Sequence, residues 1–305
     1  MGKDIVKKFG RVLLPLITAF DENLEVDYKN TRKVANYVIE KNFCDSLIIS
    51  GTTGEFHSLS FKERKRLFEE IKDEVGERVP LIAGTGSIFT KDVIELTKEA
   101  EKIGYDAIMV VVPFYCHPTQ EGIYDHFRAI ATATTLPIMI YNIPLFVNEN
   151  ITPETVAELS KIDNIVAIKE EAGIHPLQTT EILKLTKGNI TVYSGDDQMI
   201  LQVMTQGGVG VVSGGAHIAG NIIKEMIDLY LQGKNKEAVS RHHILYSLFQ
   251  AFHGINNERI NPTPLVKAAF ELSTGITVSN VRPPLTPANE EEKKYLRKIL
   301  EEIFR

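Results

Sequence analysis

The sequence has no tryptophan, and only two of its 305 residues are cysteine, Cys44 and Cys116. Two thiols make no disulfide framework, so a reducing, cytoplasmic setting is expected, with both left unpaired. No apolar run reaches the ~18 residues a membrane span needs. Cations are not in excess either: 34 Lys and Arg face 40 Asp and Glu, a net charge of −6. That balance excludes a dedicated binder of nucleic acid or of an anionic lipid surface. The first ten residues carry Lys3, Asp4, Lys7 and Lys8 and lack an apolar stretch, so no secretory leader is expected. HExxH, Walker A and cysteine-cluster patterns are missing, and Gly208-Val209-Gly210-Val211-Val212-Ser213 fails the dinucleotide-binding pattern at its last position.

What is present is an ordinary globular composition, 43% hydrophobic and 24% charged. Short apolar runs rich in β-branched residues recur at Val12–Ala19, Ser46–Ser50, Val79–Gly84, Ala107–Pro113, Leu136–Pro144, Ile165–Glu170, Ile190–Gly195 and Gly210–Gly214. Their length and their Gly and Pro punctuation predict strands. Helical periodicity fills the gaps. Leu67, Phe68, Ile71 and Val75 share one face behind a Ser60/Glu63 capping box. Val93, Leu96, Ala100 and Ile103 share another, between Thr90 as N-cap and Gly104 as stop. Thr152-Pro153-Glu154 opens a further helix. Eight strands alternating with helices must run parallel, because each crossover takes a helix. The fold predicted is an α/β (β/α)8 barrel over residues 1–231, then three helices over 232–305 packed on it as an extension.

One strand holds a residue that does not belong in an apolar core. In Ile165-Val166-Ala167-Ile168-Lys169, positions 165, 167 and 169 share a side. With Val166 and Ile168 toward the helices, Lys169 points into the barrel at its C-terminal end, where barrel enzymes hold their sites. Near an ordinary pKa of ~10.4, roughly one lysine in two thousand is neutral at pH 7. Desolvation is expected to lower that pKa and free an amine that forms a Schiff base with a ketone. The alternative is an ion pair with Glu170, Glu171 or another carboxylate. Tyr141 ends the preceding strand, either as a proton donor and acceptor beside Lys169 or as a core tyrosine. Gly51-Thr52-Thr53-Gly54-Glu55 follows the second strand. It is either a carboxylate-binding turn rich in N–H and hydroxyl donors or an ordinary strand-to-helix turn.

Other candidates carry less. Asp196-Asp197 suits a helix N-cap better than a pair of catalytic carboxylates. Ser213-Gly214-Gly215 suits close packing better than phosphate binding, since no basic residue accompanies it. His217 is a candidate partner for a substrate hydroxyl. Cys116-His117 lacks the geometry of a nucleophile and its base. His242-His243 lacks the three- or four-residue spacing of helical metal ligands.

Gly51–Glu55, Pro113-Phe114-Tyr115, Tyr141-Asn142-Ile143-Pro144, Ile168-Lys169-Glu170 and Gly195-Asp196-Asp197 stand together in an order and spacing that resemble the dihydrodipicolinate synthase / N-acetylneuraminate lyase superfamily of pyruvate-dependent class I aldolases. The resemblance runs over nearly the whole chain. It implies that Lys169 forms a Schiff base with pyruvate and Tyr141 shuttles protons. Thr52 would link Tyr141 to Tyr115, which reaches into a neighbouring subunit's site. Thr53, with Gly51, Gly54 and the loop N–H groups, would hold the substrate carboxylate, and Gly195 and Val212 would line the pocket. It further implies a homotetramer of two dimers, a small 2-keto acid substrate and no metal or dissociable cofactor.

Departures from the pattern favour one branch. Synthases of this type carry an arginine two residues after the proline of the Tyr141 motif, and here Phe146 stands there. An aromatic ring offers no fork to an incoming carboxylate. Phe56, His57, Phe61 and Ile88 replace the residues that bind feedback lysine, so inhibition by lysine is not expected. Tyr-Asn-Ile-Pro-x-Phe-x-Asn resembles 2-keto-3-deoxygluconate aldolases of the same superfamily. The function expected is therefore cleavage of a 2-keto-3-deoxy sugar acid to pyruvate and an aldehyde. The alternatives are 4-hydroxy-tetrahydrodipicolinate synthesis from pyruvate and aspartate semialdehyde, an N-acetylneuraminate lyase and a non-catalytic pyruvate or sugar-acid sensor.

Overall fold

The structure is a computed structural model, and it describes residues 5–304 except Ile174. Lys3 and Asp4 lie outside the described residues. Eight strands follow one another in chain order around a closed barrel: β1 (Val12–Pro15), β2 (Ser46–Ile49), β3 (Leu81–Gly84), β4 (Ala107–Val111), β5 (Ile138–Asn142), β6 (Ile165–Glu170), β7 (Thr191–Ser194) and β8 (Gly210–Val212). Each lies inside a run read from the sequence; the run at β6 coincides with the strand, and the others are longer because they include loop residues at the strand ends. By packing density the chain divides into two compact units, Met1–Arg11 with Pro80–Val212, and Val12–Val79 with Ser213–Arg305.

The first unit holds β3 to β8, all paired parallel. Every residue of β4, β5 and β6 is buried, and apart from Asn142, Lys169 and Glu170 at the strand ends they read as apolar runs. Ile108, Val110, Ile138, Ile140, Ile165 and Ile168 are fully buried, each worth ~1.5–3 kcal/mol of transfer free energy. Between β5 and β6 the register shifts. Ile138 faces Ile165, Met139 faces Ala167, and Tyr141 then faces Lys169. The helix Thr90–Ile103 ends at Gly104 in the left-handed region, as expected, but begins one residue earlier than read: Phe89 is its N-cap and gives no side-chain cap. Thr152 caps Pro153–Leu159 through the N–H of Thr155.

The second unit holds the parallel pair β1 and β2 and the helix Phe61–Val75. The expected capping box is formed: the Ser60 hydroxyl accepts from the Glu63 N–H, and the Glu63 side chain accepts from the Ser60 N–H. Leu67, Phe68, Ile71 and Val75 are its buried face. The last three helices run over Asn235–Ala251, Thr263–Thr274 and Glu290–Ile303. Among the described residues, no helix is long and apolar enough to cross a membrane.

Candidate active site

Strand alternation sends consecutive residues at the end of β6 into different surroundings. Glu170 is buried on one side, where it accepts from Asn142 Nδ2 at 3.2 Å, from Gln178 Nε2 at 3.1 Å and from the Ala172 N–H at 2.7 Å. Asn150 links the same Asn142 and Gln178 side chains. Lys169 and Glu171 share the other side. Lys169 is buried, and its Nζ lies 3.2 Å from Glu171 Oε2. The Tyr141 hydroxyl donates to the same oxygen at 3.2 Å, and Lys169 Nζ sits 3.8 Å from the centre of the Tyr141 ring. A cation over an aromatic face is attracted by the ring quadrupole. Sequence alternatives left open at this strand thus coexist: Lys169 is in an ion pair, and it is also beside the tyrosine.

The electrostatics correct one expectation. Burial pulls the Lys169 pKa down, but the Glu171 carboxylate and the Tyr141 oxygen pull it up, and the net direction is upward. The resting lysine is an ammonium, not a freed amine. Glu171 shifts too: burial pushes its carboxyl up to about 7 against the pull of Lys169, with Asp196 adding to the rise. Glu170 is also raised, first by burial, and its hydrogen bonds oppose the rise.

Gly195 follows β7 and packs directly on this pair. A Cβ there would meet Glu171 Cβ at 2.7 Å and Lys169 Cε at 2.9 Å, so only glycine leaves both side chains in place. Val212 is the buried last residue of β8. Tyr115 takes φ +70° in the loop after β4, and in this single chain its ring is 85% exposed. Phe146 is half-buried on the short helix Pro144–Val147, its N–H bonded to the Ile143 carbonyl. Asp196 is the expected cap, accepting from the Gln198 N–H at the turn that opens at Asp197.

In the second unit, Gly51–Glu55 coils tightly after β2. Gly54 N–H bonds to Gly51 O, Glu55 N–H to Thr52 O, and Thr18 Oγ1 donates to Gly54 O. A Cβ on Gly54 would come within 2.9 Å of Leu16 O. Thr53 is buried and Thr52 half-buried. Glu55, in the left-handed region at φ 57°, is the part the sequence left unexplained. Its side chain is fully buried against Lys267 Nζ at 2.7 Å, and its other oxygen accepts the Arg282 N–H at 3.0 Å. Arg282 also binds Ser58 O and Glu63. No local signal marks Lys267, which is 212 residues from Glu55.

His217 is corrected as well. It is fully buried, with Nδ1 on the Gly214 carbonyl and Nε2 on the Ile17 N–H. Both nitrogens are used within the fold, and burial lowers its pKa to about 4. Ser213 accepts from the Ala216 N–H, which suits the packing role. Cys44 is buried, and burial pushes its thiol up to about 12, while Cys116 is exposed, and neither is in a disulfide. Among the described residues, no group of three or more His, Cys, Asp or Glu is arranged to hold a metal.

Comparison with known proteins bears on the reaction. The chain is 45% identical over 294 residues to the 4-hydroxy-tetrahydrodipicolinate synthase of Desulforudis audaxviator, covering 96% of this chain and 97% of the relative. It is 44% identical over 301 residues to the Bacillus subtilis protein of the same name, covering 97% and 99%. The crystal structure of dihydrodipicolinate synthase DapA-2 from Bacillus anthracis matches with a TM-score of 0.90 and 41% identity, over 96% and 98% of the two chains. These similarities overturn the expectation of a 2-keto-3-deoxygluconate aldolase. That expectation leaned on Phe146, one side chain on a four-residue helix, whereas the likeness to the synthases extends over the whole barrel and its last helices. The dihydrodipicolinate synthetase family model matches residues 8–303, and the chain belongs to that family.

Proposed function

We propose that the protein is a 4-hydroxy-tetrahydrodipicolinate synthase, which joins pyruvate to aspartate semialdehyde through a Schiff base on Lys169. The family works through a lysine–pyruvate Schiff base and needs no metal or other cofactor. The observation that carries the reading is the buried Lys169 ammonium held under the Tyr141 ring at the C-terminal end of β6. In this reading the Lys169 amine adds to the ketone of pyruvate and water leaves. The iminium acidifies the methyl carbon, whose proton passes by way of the Tyr141 hydroxyl to solvent while the C–H electron pair forms the enamine. The enamine attacks the aldehyde, and Tyr141, within reach of the lysine nitrogen, gives the new alkoxide its proton. The amine of the second substrate then closes the ring and displaces Lys169.

Other parts of the site are assigned from the resemblance. Thr53 and the Gly51–Gly54 turn take the pyruvate carboxylate, and Gly195 and Val212 line the pocket. Thr52 joins Tyr141 to a Tyr115 from a neighbouring subunit of a homotetramer. Phe146 means that the second substrate's carboxylate is held by other groups than an arginine at that position. The test is borohydride reduction with pyruvate, followed by peptide mapping, and turnover of aspartate semialdehyde by the wild type and Lys169→Ala. Pyruvate fixed to Lys169 with lysine-dependent turnover of aspartate semialdehyde supports the reading. Pyruvate fixed without that turnover would leave the Schiff base and remove the second substrate.

A further inference from the structure

Glu171 is not among the groups the proposed chemistry uses, yet it is the only carboxylate within 4 Å of the Lys169 ammonium among the ion pairs of the described residues. Its placement is built, not incidental. Strand alternation puts it on the side of Lys169, two residues on. Its backbone N–H is tied to the Asn142 carbonyl at 3.0 Å, across from β5. Gly195 leaves the space its Cβ and Oε2 occupy. The Tyr141 hydroxyl spends its proton on the same Oε2. The side chain is 23% exposed, so it is not sealed in the core as the Glu55 carboxylate is.

Schiff-base chemistry here has a specific need. The lysine rests as an ammonium, which has no lone pair to offer a ketone. A phenol ionises near ~10 in water and keeps its proton at pH 7, whereas a carboxylate stands ready as a base. Tyr141 is moreover already a donor to Glu171.

We propose that Glu171 is a further catalytic residue, which takes a proton from the Lys169 ammonium and returns it to the hydroxyl that leaves. This rests on the Schiff-base reading above. Glu171 accepts one proton and leaves a neutral amine. The nitrogen lone pair bonds to C2 of pyruvate, and the carbonyl pair moves onto oxygen. A second nitrogen proton passes to that oxygen and completes the carbinolamine. Glu171 then donates its proton to the hydroxyl, the C–O bond breaks, and the nitrogen lone pair forms the iminium. Water departs with two of the three original ammonium protons, the third stays on the iminium nitrogen, and Glu171 is again a carboxylate, now facing a cation. The charged and titratable groups around it are Lys169 from its own strand, Tyr141 from β5 and Asp196 after β7. Burial raises the carboxyl to about 7, which makes it a stronger base than an ordinary carboxylate; the transfer from the ammonium is still uphill and is drawn forward by the attack on C2.

The experiment measures the rate at which borohydride-trappable pyruvate forms on the enzyme, across pH 5–10, for the wild type, Glu171→Gln and Glu171→Ala. The Gln variant is isosteric and keeps a hydrogen-bonding side chain. The expected result is a fall of ~10²-fold in trapping rate at pH 7 for both variants. The acid limb of the wild-type profile should be lost in both, and added formate should restore part of the rate in Glu171→Ala. Trapping of pyruvate by Glu171→Gln at the wild-type rate with the wild-type pH profile overturns the proposal while leaving Lys169 as the nucleophile. So does a fall in rate that formate does not restore and that leaves the profile's shape unchanged, because that is the signature of a structural ion pair. If the wild type itself traps no pyruvate, the Schiff-base reading fails and this proposal with it.

Discussion

Lys169 and Lys267 are both buried, and each meets one glutamate, Glu171 at 3.2 Å and Glu55 at 2.7 Å. The surroundings differ. Around Lys267 every charge is answered: its Nζ also donates to the Asn280 carbonyl and lies over the Phe20 ring, and the second Glu55 oxygen takes the Arg282 N–H. Both side chains of that pair are wholly excluded from solvent. Around Lys169 the ion pair is longer, and the glutamate is partly open. Charge shifts run against the usual intuition. Burial, only partly opposed by Glu55, pulls the sealed Lys267 down to about 8, while Lys169 is held above the ordinary range. A depressed lysine pKa therefore does not single out the proposed nucleophile from the sealed lysine. What separates the two is the partly exposed carboxylate beside Lys169. The sealed pair instead fixes the conformation of a loop, and a buried pair with all its partners satisfied resists disturbance.

The largest expected effect is at the open pair. Lys169→Ala should abolish the covalent adduct with pyruvate and lower turnover by at least ~10³-fold, with the fold retained. Mass spectrometry after borohydride and a steady-state assay measure both, and appreciable turnover without an adduct would remove the distinction between the two lysines. At the sealed pair the effect should fall on stability. Lys267→Met strands the Glu55 carboxylate in the core, at a cost of about 3–5 kcal/mol. The double variant Lys267→Met/Glu55→Gln should recover at least half, read from urea midpoints at constant m. A single variant that costs next to nothing would mean the loop is held by other contacts.

Gly195→Ala sharpens the contrast from the other side. Its added carbon has to displace Glu171 or Lys169, so kcat should drop ~10²-fold while the melting temperature moves little. Equal losses in both would point to packing, not positioning. The smallest effect concerns the rim of the sealed cluster. Arg282, hydrogen-bonded to Glu63, holds that carboxyl down at about 2 despite its partial burial, with the Ser60 N–H and hydroxyl helping. The folded state then binds fewer protons than the unfolded state between about 2 and the ordinary 4.5. Stability from this group is complete above the ordinary value and is lost as pH falls toward 2. Glu63→Gln should cost about 1–2 kcal/mol at pH 7, after allowance for solvent screening, and almost nothing near pH 2. Thermal melts across pH 2–7 check it, and parallel curves for the two proteins would refute it.

Local features were legible in the sequence where a short-range rule applied. Alternation placed Lys169 toward the interior, strand order put Tyr141 beside it, and the Ser60/Glu63 box and Gly104 stop follow from cap chemistry. Thr90 shows where such rules fall short, because the helix begins on its own residue and not after it. Glu171 stood next to Glu170 as one of two equivalent partners, and only the geometry separates them: Glu170 is tied to Asn142 and Gln178, Glu171 to the lysine. Glu55 with Lys267 was hidden because the partners come from opposite ends of the sequence. His217 was misjudged because its tie to Ile17 is equally long-range. The substrate branch was misjudged because a single replaced side chain was weighed against a likeness that runs the length of the chain.

The shifted register between β5 and β6 sets the phase of the whole arrangement. Were the Ile138↔Ile165 register carried on without the shift, Tyr141 would stand opposite Ile168. With it, the tyrosine meets the lysine. The end of β6 behaves as a message read in frame: Lys, Glu, Glu means cation, anchor on the opposite side, and carboxylate back on the cation's side. A slip of one residue in that register would keep every letter and lose the meaning, because Tyr141 would then face Ile168 in place of Lys169.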